Sequence, residues 1–399
     1  MRVFAVFFHP GLNFTAVGGA EKRFLEILKV WDSKVTATIA ESSPRLVPTS
    51  CSHCEAIEIR SPVSASGKGL FSIYLEWALW VTKACLLCPS LIRRKRYDVI
   101  LAPNNTLPNL LVAYFLHILS KLPLIVIVHH FDFPYVDEPA NLASAYNVYR
   151  KTDFGSPVAL IKALTFFTML ALTRRSAGCI AVSNFTARFL LRNGVSHDKI
   201  HVSGNGVDIN VIEQFKADEK SNDGVFVGRI GREKGIFDLI KIWKQLTSHK
   251  PDSRLAIIGT GPDALKLKEM VEDSNMSSNV MLKGSCSDSE LYTQMKASKV
   301  FLFPSRFEGW GLAVGEALAC GLPVVCYSIP ALREIFGECS SVFFIPVGDT
   351  GRFAEAVEKI LSEDNLCELE ATSKEYAKHL SWETVALNDL QIIMTMSQY

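Results

Sequence analysis

Residues 307–325 read FEGWGLAVGEALACGLPVV, and in them Glu308 and Glu316 stand eight positions apart around a glycine-rich turn. A carboxylate accepts hydrogen bonds through two oxygens, so it can hold a vicinal diol. The strand expected over 299–303 ends at Pro304-Ser305, and Glu308 follows in the loop. Gly309, Trp310, Gly311 and Leu312 then lead into a helix that carries Glu316. The first amides of such a helix lack intrahelical acceptors and attract phosphate or sugar oxygens. Two carboxylates set one loop and one helical turn apart suit a ligand with two diols. The ribose and the hexose of a nucleoside diphospho-sugar supply one each.

Two further segments supply positive charge and close backbone approach. GRIGREKG (228–235) places Arg229 and Lys234 around a glycine turn after a strand, a cationic pair suited to a diphosphate. AVGGAEKR (16–23) places Gly18 and Gly19 before a helix, where backbone amides can meet a bulky anion. That segment is not the G-x-G-x-x-G fingerprint of dinucleotide enzymes, and no acidic residue stands at the expected end of the next strand. A nicotinamide enzyme is therefore disfavoured.

Alternating elements must position these groups. Short apolar runs at 2–8, 98–102, 124–130, 179–183, 224–229, 254–261, 299–305 and 323–328 read as strands buried on both faces. Helical patterns such as 19–31, 236–248, 263–272 and 351–362 fall between them. The class is α/β, with parallel sheets covered by helices on both sides. The rhythm breaks at 209–223, INVIEQFKADEKSND, which reads as a linker. Two doubly wound domains follow, 1–208 and 224–380, with a terminal helix over 381–399 packing back on the first. Ligands of such sheets bind at the carboxyl ends of the strands, so two facing sheets would enclose a cleft.

Composition limits the partners. The 399 residues are 48% hydrophobic and 21% charged, and the net charge of +1 argues against nucleic acid. Residues 1–208 carry 22 Lys and Arg against 14 Asp and Glu, while 209–399 carry 20 against 27. A basic first half suggests contact with an anionic surface. Residues 70–88 and 158–173 are apolar and helical, followed by Arg93-Arg94-Lys95-Arg96 and Arg174-Arg175. In the first of them Glu76 and Lys83 are expected to share a narrow polar stripe. Such helices suit an anionic membrane interface or the cover of a sheet; uninterrupted apolar length for a span is lacking. No signal peptide opens the chain, which points to the cytoplasm and the cytoplasmic face of the membrane. Ten cysteines include Cys51/Cys54 and Cys85/Cys88, whose 30-residue separation disfavours a zinc site.

PSRFEGWGLAVGEALACGLPVV resembles the E-x7-E signature of the retaining glycosyltransferase family 4, which has the two-domain GT-B fold. VGRIGREKG is similar to that family's G-R-x4-K-G segment, SGNGVD (203–208) to its N-G-V-D turn, GGAE (18–21) to its glycine loop, and SWE (381–383) to the stretch before its crossing helix. The resemblance covers nearly the whole chain, with the motifs in order. It implies that Glu308 contacts the donor hexose and Glu316 the ribose. Arg229 and Lys234 would neutralise the departing diphosphate, with amides of Gly19, Trp310, Gly311 and Leu312 on phosphate and sugar. It also implies a histidine at a strand end in the first domain. VHHFD supplies His129 and His130; His129 comes first after the strand, and the choice stays open. No D-x-D motif ends a strand, so cations and helix amides would replace a metal. No metal or other cofactor is expected. The implied reaction moves a hexose, with retention, from a UDP- or GDP-sugar to a saccharide or lipid-linked acceptor. A sugar-nucleotide epimerase and an inactive subunit of the same fold are the alternatives.

Overall fold

The computed structural model describes residues 1–8, 18–42, 51–63, 69–131, 139–151, 155–217, 219–362 and 365–398. Residues 16 and 17 of the first glycine segment lie outside the described residues. The chain divides into two compact units, one of Met1–Gly204 with Trp382–Tyr399 and one of Asn205–Ser381.

The first unit is built on seven parallel strands: β1 Arg2–Phe7, β2 Thr36–Glu41, β3 Cys54–Glu58, β4 Val99–Ala102, β5 Leu124–Val128, β6 Gly178–Ala181 and β7 Ile200–Val202. Their order is β3-β2-β1-β4-β5-β6-β7. Strands β4, β5 and β6 are buried along their whole length, as strands covered on both faces must be. The helix Leu70–Arg94 buries Trp80, Ala84, Cys88 and Ile92 in the core, and Ser156–Arg174 buries Ala159, Ala163, Phe166 and Leu170. Both stripes follow the spacing of one helical face. Glu76 belongs to the same i+4 row as Trp80, Ala84 and Cys88, so it turns inward and is buried. The expected polar stripe therefore does not form; Lys83 remains outside and donates to the Arg60 carbonyl at 3.0 Å. The four cysteines do not converge either. Cys51 and Cys54 are disulfide-bonded, while Cys88 lies in the core.

The terminal helix Trp382–Met396 closes this first unit. Arg23 and Asp389, both fully buried, pair at 2.8 Å, and Trp31 donates its indole N–H to Ala386 O at 2.8 Å. These contacts join it to the helix Gly19–Trp31.

The second unit carries six parallel strands: β8 Asn222–Val227, β9 Leu255–Ile258, β10 Val280–Gly284, β11 Ser298–Phe303, β12 Val324–Tyr327 and β13 Val342–Ile345. Their order is β10-β9-β8-β11-β12-β13. The stretch 209–223 is not a free linker. It opens with the helix Ile209–Glu213, capped by Asp208, with Ile212 fully buried. Lys296 Nζ holds the carbonyls of Ile212 and Phe215 at 2.7 and 2.6 Å. The boundary between the units falls at Gly204–Asn205 instead, because the helix buries its apolar side on the second unit.

In each sheet the chain builds strands to one side and then returns to the other, between β1 and β4 and again between β8 and β11. A sheet of this kind opens a crevice at that reversal, where loops diverge to opposite faces.

Candidate active site

At the β8–β11 reversal, two loops are pressed together by a missing side chain. Gly235 has φ +69°, and a Cβ there would stand 1.9 Å from the Pro304 carbonyl oxygen. Only glycine permits that approach. The turn Arg232–Lys234 therefore rests on the segment leaving β11, where Arg306 N donates to Glu233 O at 2.9 Å. From this seat Lys234 Nζ reaches Glu308 Oε1 at 2.6 Å, with side chains 23% and 11% exposed. Ser305 Oγ donates to the same Glu308 oxygen at 2.7 Å. Arg229, on the Lys234 turn, is exposed and donates Nε to Glu233 Oε1 at 3.0 Å.

A second layer fixes the loop from behind. Arg306 Nε and Tyr327 OH both donate to Asp238 Oδ2 at 3.1 Å. Burial, and then the Asp238 charge, push the Tyr327 phenol up, so it remains a donor.

Glu316 lies deeper. Gly311 (φ +98°) caps the helix Leu312–Ala319, and the first helical turn closes with Val314 N on Gly311 O at 2.9 Å. The amides of Leu312 and Ala313 precede that ladder. Trp310 is buried edge-on against Phe336, centroids 5.3 Å apart. A Cβ on Gly315 would stand 2.9 Å from Val207 and 3.2 Å from Trp310, so the glycine before Glu316 is a packing requirement. Glu316 is 7% exposed and accepts from Tyr292 OH at 3.3 Å.

Sequence reasoning missed a third loop. A Cβ on Gly259 would meet Gly228 O at 1.9 Å, and one on Gly261 would meet Ile230 O at 2.3 Å. Ile230 N donates to Thr260 O at 2.8 Å, and Asp263 accepts from Arg232 N at 2.9 Å. GTGPD after β9 thus holds the arginine–lysine turn from its other side. The signal was a G-x-G at a strand end, read only as strand. Ser305 and Tyr292 were missed too, and neither residue type marks itself in sequence.

In the first unit, the corresponding edge places Gly18 at the N-cap of Gly19–Trp31, where Lys22 N donates to Gly18 O at 2.9 Å. His129 follows β5, and its backbone N donates to Asn105 Oδ1 at 3.2 Å. Its Nε2 lies 3.1 Å from Pro103 O. A carbonyl only accepts, so Nε2 carries the proton and Nδ1 keeps its lone pair. Burial, then the Arg23 charge, push the His129 pKa down to about 3, against the Pro103 hydrogen bond; the imidazole is neutral. His130 is exposed, and its carbonyl accepts from Asn105 Nδ2 at 2.8 Å. The His129 ring is thus oriented by the Pro103 carbonyl.

The family models for "Glycosyltransferase Family 4" and "Glycosyl transferases group 1" match residues 17–211 and 208–380. The 2-deoxystreptamine N-acetyl-D-glucosaminyltransferase of Niallia circulans is 26% identical over 36% of this chain and 37% of its own length. The capsular polysaccharide biosynthesis glycosyltransferase CapM of Staphylococcus aureus is 25% identical over 57% of this chain and 66% of its own. The chain thus spans about a third to two thirds of these curated relatives. Among solved structures, Anabaena HepE in complex with UDP-glucose superposes with a TM-score of 0.72 at 18% identity, covering 99% of this chain and 100% of the other. At that identity the likeness shows the fold, which is the GT-B arrangement expected from the motifs.

Proposed function

The chain belongs to the family 4, group 1 glycosyltransferases, and from that premise we propose that it transfers a hexose from a UDP- or GDP-linked donor to a lipid-linked saccharide. The observation that carries this reading is the Lys234–Glu308–Ser305 cluster at the β8–β11 reversal. Lys234 has three donors, so it can keep Glu308 and still meet the diphosphate as charge develops on it. Arg229 on the same turn and the Leu312 and Ala313 amides add to that stabilisation, a preorganised substitute for a divalent ion. Glu308, fixed by Lys234 and Ser305, orients the hexose hydroxyls. Glu316 accepts from the ribose. Neutral His129 offers Nδ1 to a donor-sugar hydroxyl. With Glu308 engaged in binding, attack by the acceptor comes from the leaving-group face, assisted by a phosphate oxygen, and the anomeric configuration is retained. HepE, whose solved complex contains UDP-glucose, and CapM, named for capsular polysaccharide biosynthesis, support a nucleotide-sugar donor and a cell-surface glycan product. The basic, apolar first half supports an acceptor presented at the cytoplasmic membrane face.

The test is a panel of nucleotide sugars with chelator present and a lipid extract as acceptor source. Acceptor-dependent nucleoside diphosphate release and a product with the donor's anomeric configuration are expected. Interconversion of the sugar nucleotide without transfer would overturn the reading in favour of an epimerase. Silence with every donor, despite binding, would favour an inactive subunit.

A further inference from the structure

The helices Leu70–Arg94 and Leu107–Ser120 pack side by side in the first unit, and each turns only one face to the core. Contrary to the expectation from sequence, Phe71–Arg94 and Ser156–Arg174 are by length and composition apolar enough to cross a membrane. Each nevertheless spends a full stripe on the sheet, as Trp80 to Ile92 and Ala159 to Leu170 show. What is left outside is still apolar. Phe71 is 82% and Leu86 76% exposed, and Leu75, Phe115 and Ile118 are exposed on the same two helices, Leu70–Arg94 and Leu107–Ser120. A soluble surface rarely presents a contiguous apolar face of this kind without a partner.

Within that face lies an open groove of about 360 Å³, walled by Tyr74, Trp77, Ala78 and Val81 on one helix and by Leu107 and Leu111 on the other. Its lining is almost wholly apolar, and its size falls within the range of small-ligand sites. Its position is informative. Leu107 begins the helix that follows β4, and Pro103 and Asn105, just before it, are the residues that hold His129. The groove therefore lies beside the β4 end that supports His129, where the proposed function would present an acceptor. At the far end of the helix Leu70–Arg94, Arg93 and Arg94 are exposed, as is Arg96 just beyond it. None has an ion-pair partner among the described residues. Fifteen residues of helix separate Ala78 from Arg93, about 22 Å, so these guanidiniums would meet the headgroups of neighbouring lipids.

We propose that this groove is a lipid-chain site: it seats one hydrocarbon chain of a membrane lipid, while the arginines farther along the face rest on anionic phospholipid headgroups. The occupant is fixed by the combination of an apolar channel and uncompensated positive charge, the pairing that an anionic bilayer complements. The proposal deepens the reading of a lipid-linked acceptor and rests on it for the identity of the chain's head. A water-soluble glycan would gain nothing from the groove.

Tryptophan fluorescence tests it. Of the six tryptophans, Trp77 is half-buried, whereas Trp31, Trp80, Trp243, Trp310 and Trp382 are 5% exposed or less. Phosphatidylglycerol vesicles carrying bromine on the acyl chains are expected to quench the full-length protein, and Trp77→Phe to abolish the quench. Ala78→Asp with Thr82→Glu, both at exposed positions, should remove it while UDP binding by calorimetry stays unchanged. Arg93→Gln with Arg94→Gln should weaken vesicle binding about thirtyfold. Flotation with vesicles but no quench would overturn the proposal. So would quenching that survives in the Ala78/Thr82 variant, or a dimer in sedimentation that this variant dissociates, which would make a second copy the occupant. The two readings fail separately. Transfer to a lipid-linked acceptor with no quench removes the lipid site alone; a Trp77 quench without any transfer removes the enzymatic reading alone.

Discussion

Replacing Lys234 by methionine separates the two things its ammonium does. In the fold it pairs with Glu308 at 2.6 Å, the two side chains being 23% and 11% exposed. Breaking a fully buried pair costs about 3–5 kcal/mol, and an exposed pair is worth about 0–1 kcal/mol. This pair lies between, and Ser305 still donates to the stranded carboxylate, so about 1–2 kcal/mol of stability should be lost. Melting should fall by a few degrees. In the proposed reaction, Lys234 would meet charge that grows on the diphosphate, and removing one such preorganised donor costs roughly 100- to 1,000-fold in kcat, about 2.7–4 kcal/mol. Adding Glu308→Gln neutralises the stranded carboxylate and should return most of the stability but none of the turnover. The assay is nucleoside diphosphate release under saturating donor, beside thermal melts of the single and double variants. A Lys234→Met enzyme within fivefold of wild type, or a double variant that regains turnover with stability, would show that the pair merely holds the loop and would refute the reasoning.

Glu316→Gln should raise KM for the donor roughly tenfold to a hundredfold, because a charged acceptor for hydroxyls is worth about 1.5–3 kcal/mol. Tyr292→Phe, which removes the 3.3 Å contact to Glu316, should cost under about fivefold; initial rates at varied donor read both, and a pure kcat effect would contradict the ribose role. His129→Gln should lower kcat/KM about tenfold or more, with His130→Gln close to wild type. Because the His129 pKa falls to about 3 on folding, its neutral form favours the fold above pH 6.5, and that contribution is lost as pH drops from 6.5 toward 3. Wild type should therefore lose stability over that window more steeply than His129→Gln in melts. Glu41, at the end of β2, is fully buried with neither oxygen hydrogen-bonded among the described residues, and burial followed by the Glu58 charge raises its pKa to about 7. The folded state then holds a proton that the unfolded chain releases above about 4.5, so stability falls as pH rises from 4.5 through 7. Glu41→Gln should add up to about 3 kcal/mol at pH 8 and little at pH 4.5 in urea unfolding followed on the first unit.

The fully covered strands were legible. Runs such as VILA, LIVIV and VVCY have no polar position to confuse, because both faces meet helices. The strands absent from the sequence reading are β2, β3, β7, β10 and β13. Of these β3, β7, β10 and β13 lie at sheet edges, and none is buried along its whole length. In β3 the sequence is CEAIE, and its two glutamates hide a strand among loop residues. The helix of 209–213 was invisible for a related reason. Its five residues are too few to show a period, and its stability comes from Asp208 and Lys296 rather than from its own pattern. Buried Glu76 and Glu41 read as surface by type, since only the third dimension shows that one shares a row with Trp80 and that the other ends an interior strand.

The charges that the structure brings together, Lys234 and Glu308, stand out in the sequence, and their support does not. Glu308, Lys234 and Glu316 announce themselves because ionised groups near glycines at a strand end have few other uses. Their positions are set by contacts that carry no side-chain signature. Gly235 lies against Pro304, Gly259 against Gly228 and Gly261 against Ile230, each through backbone alone. These approaches place the loops after β8, β9 and β11 within touching distance, and a Cβ at any of them would force the loops apart by more than an ångström. The 2.6 Å reach from Lys234 to Glu308 tolerates far less, since an ammonium–carboxylate contact loses its hydrogen bond within about half an ångström of stretch. The three glycines therefore belong to the site as firmly as the charges do, acting through the space they leave unfilled.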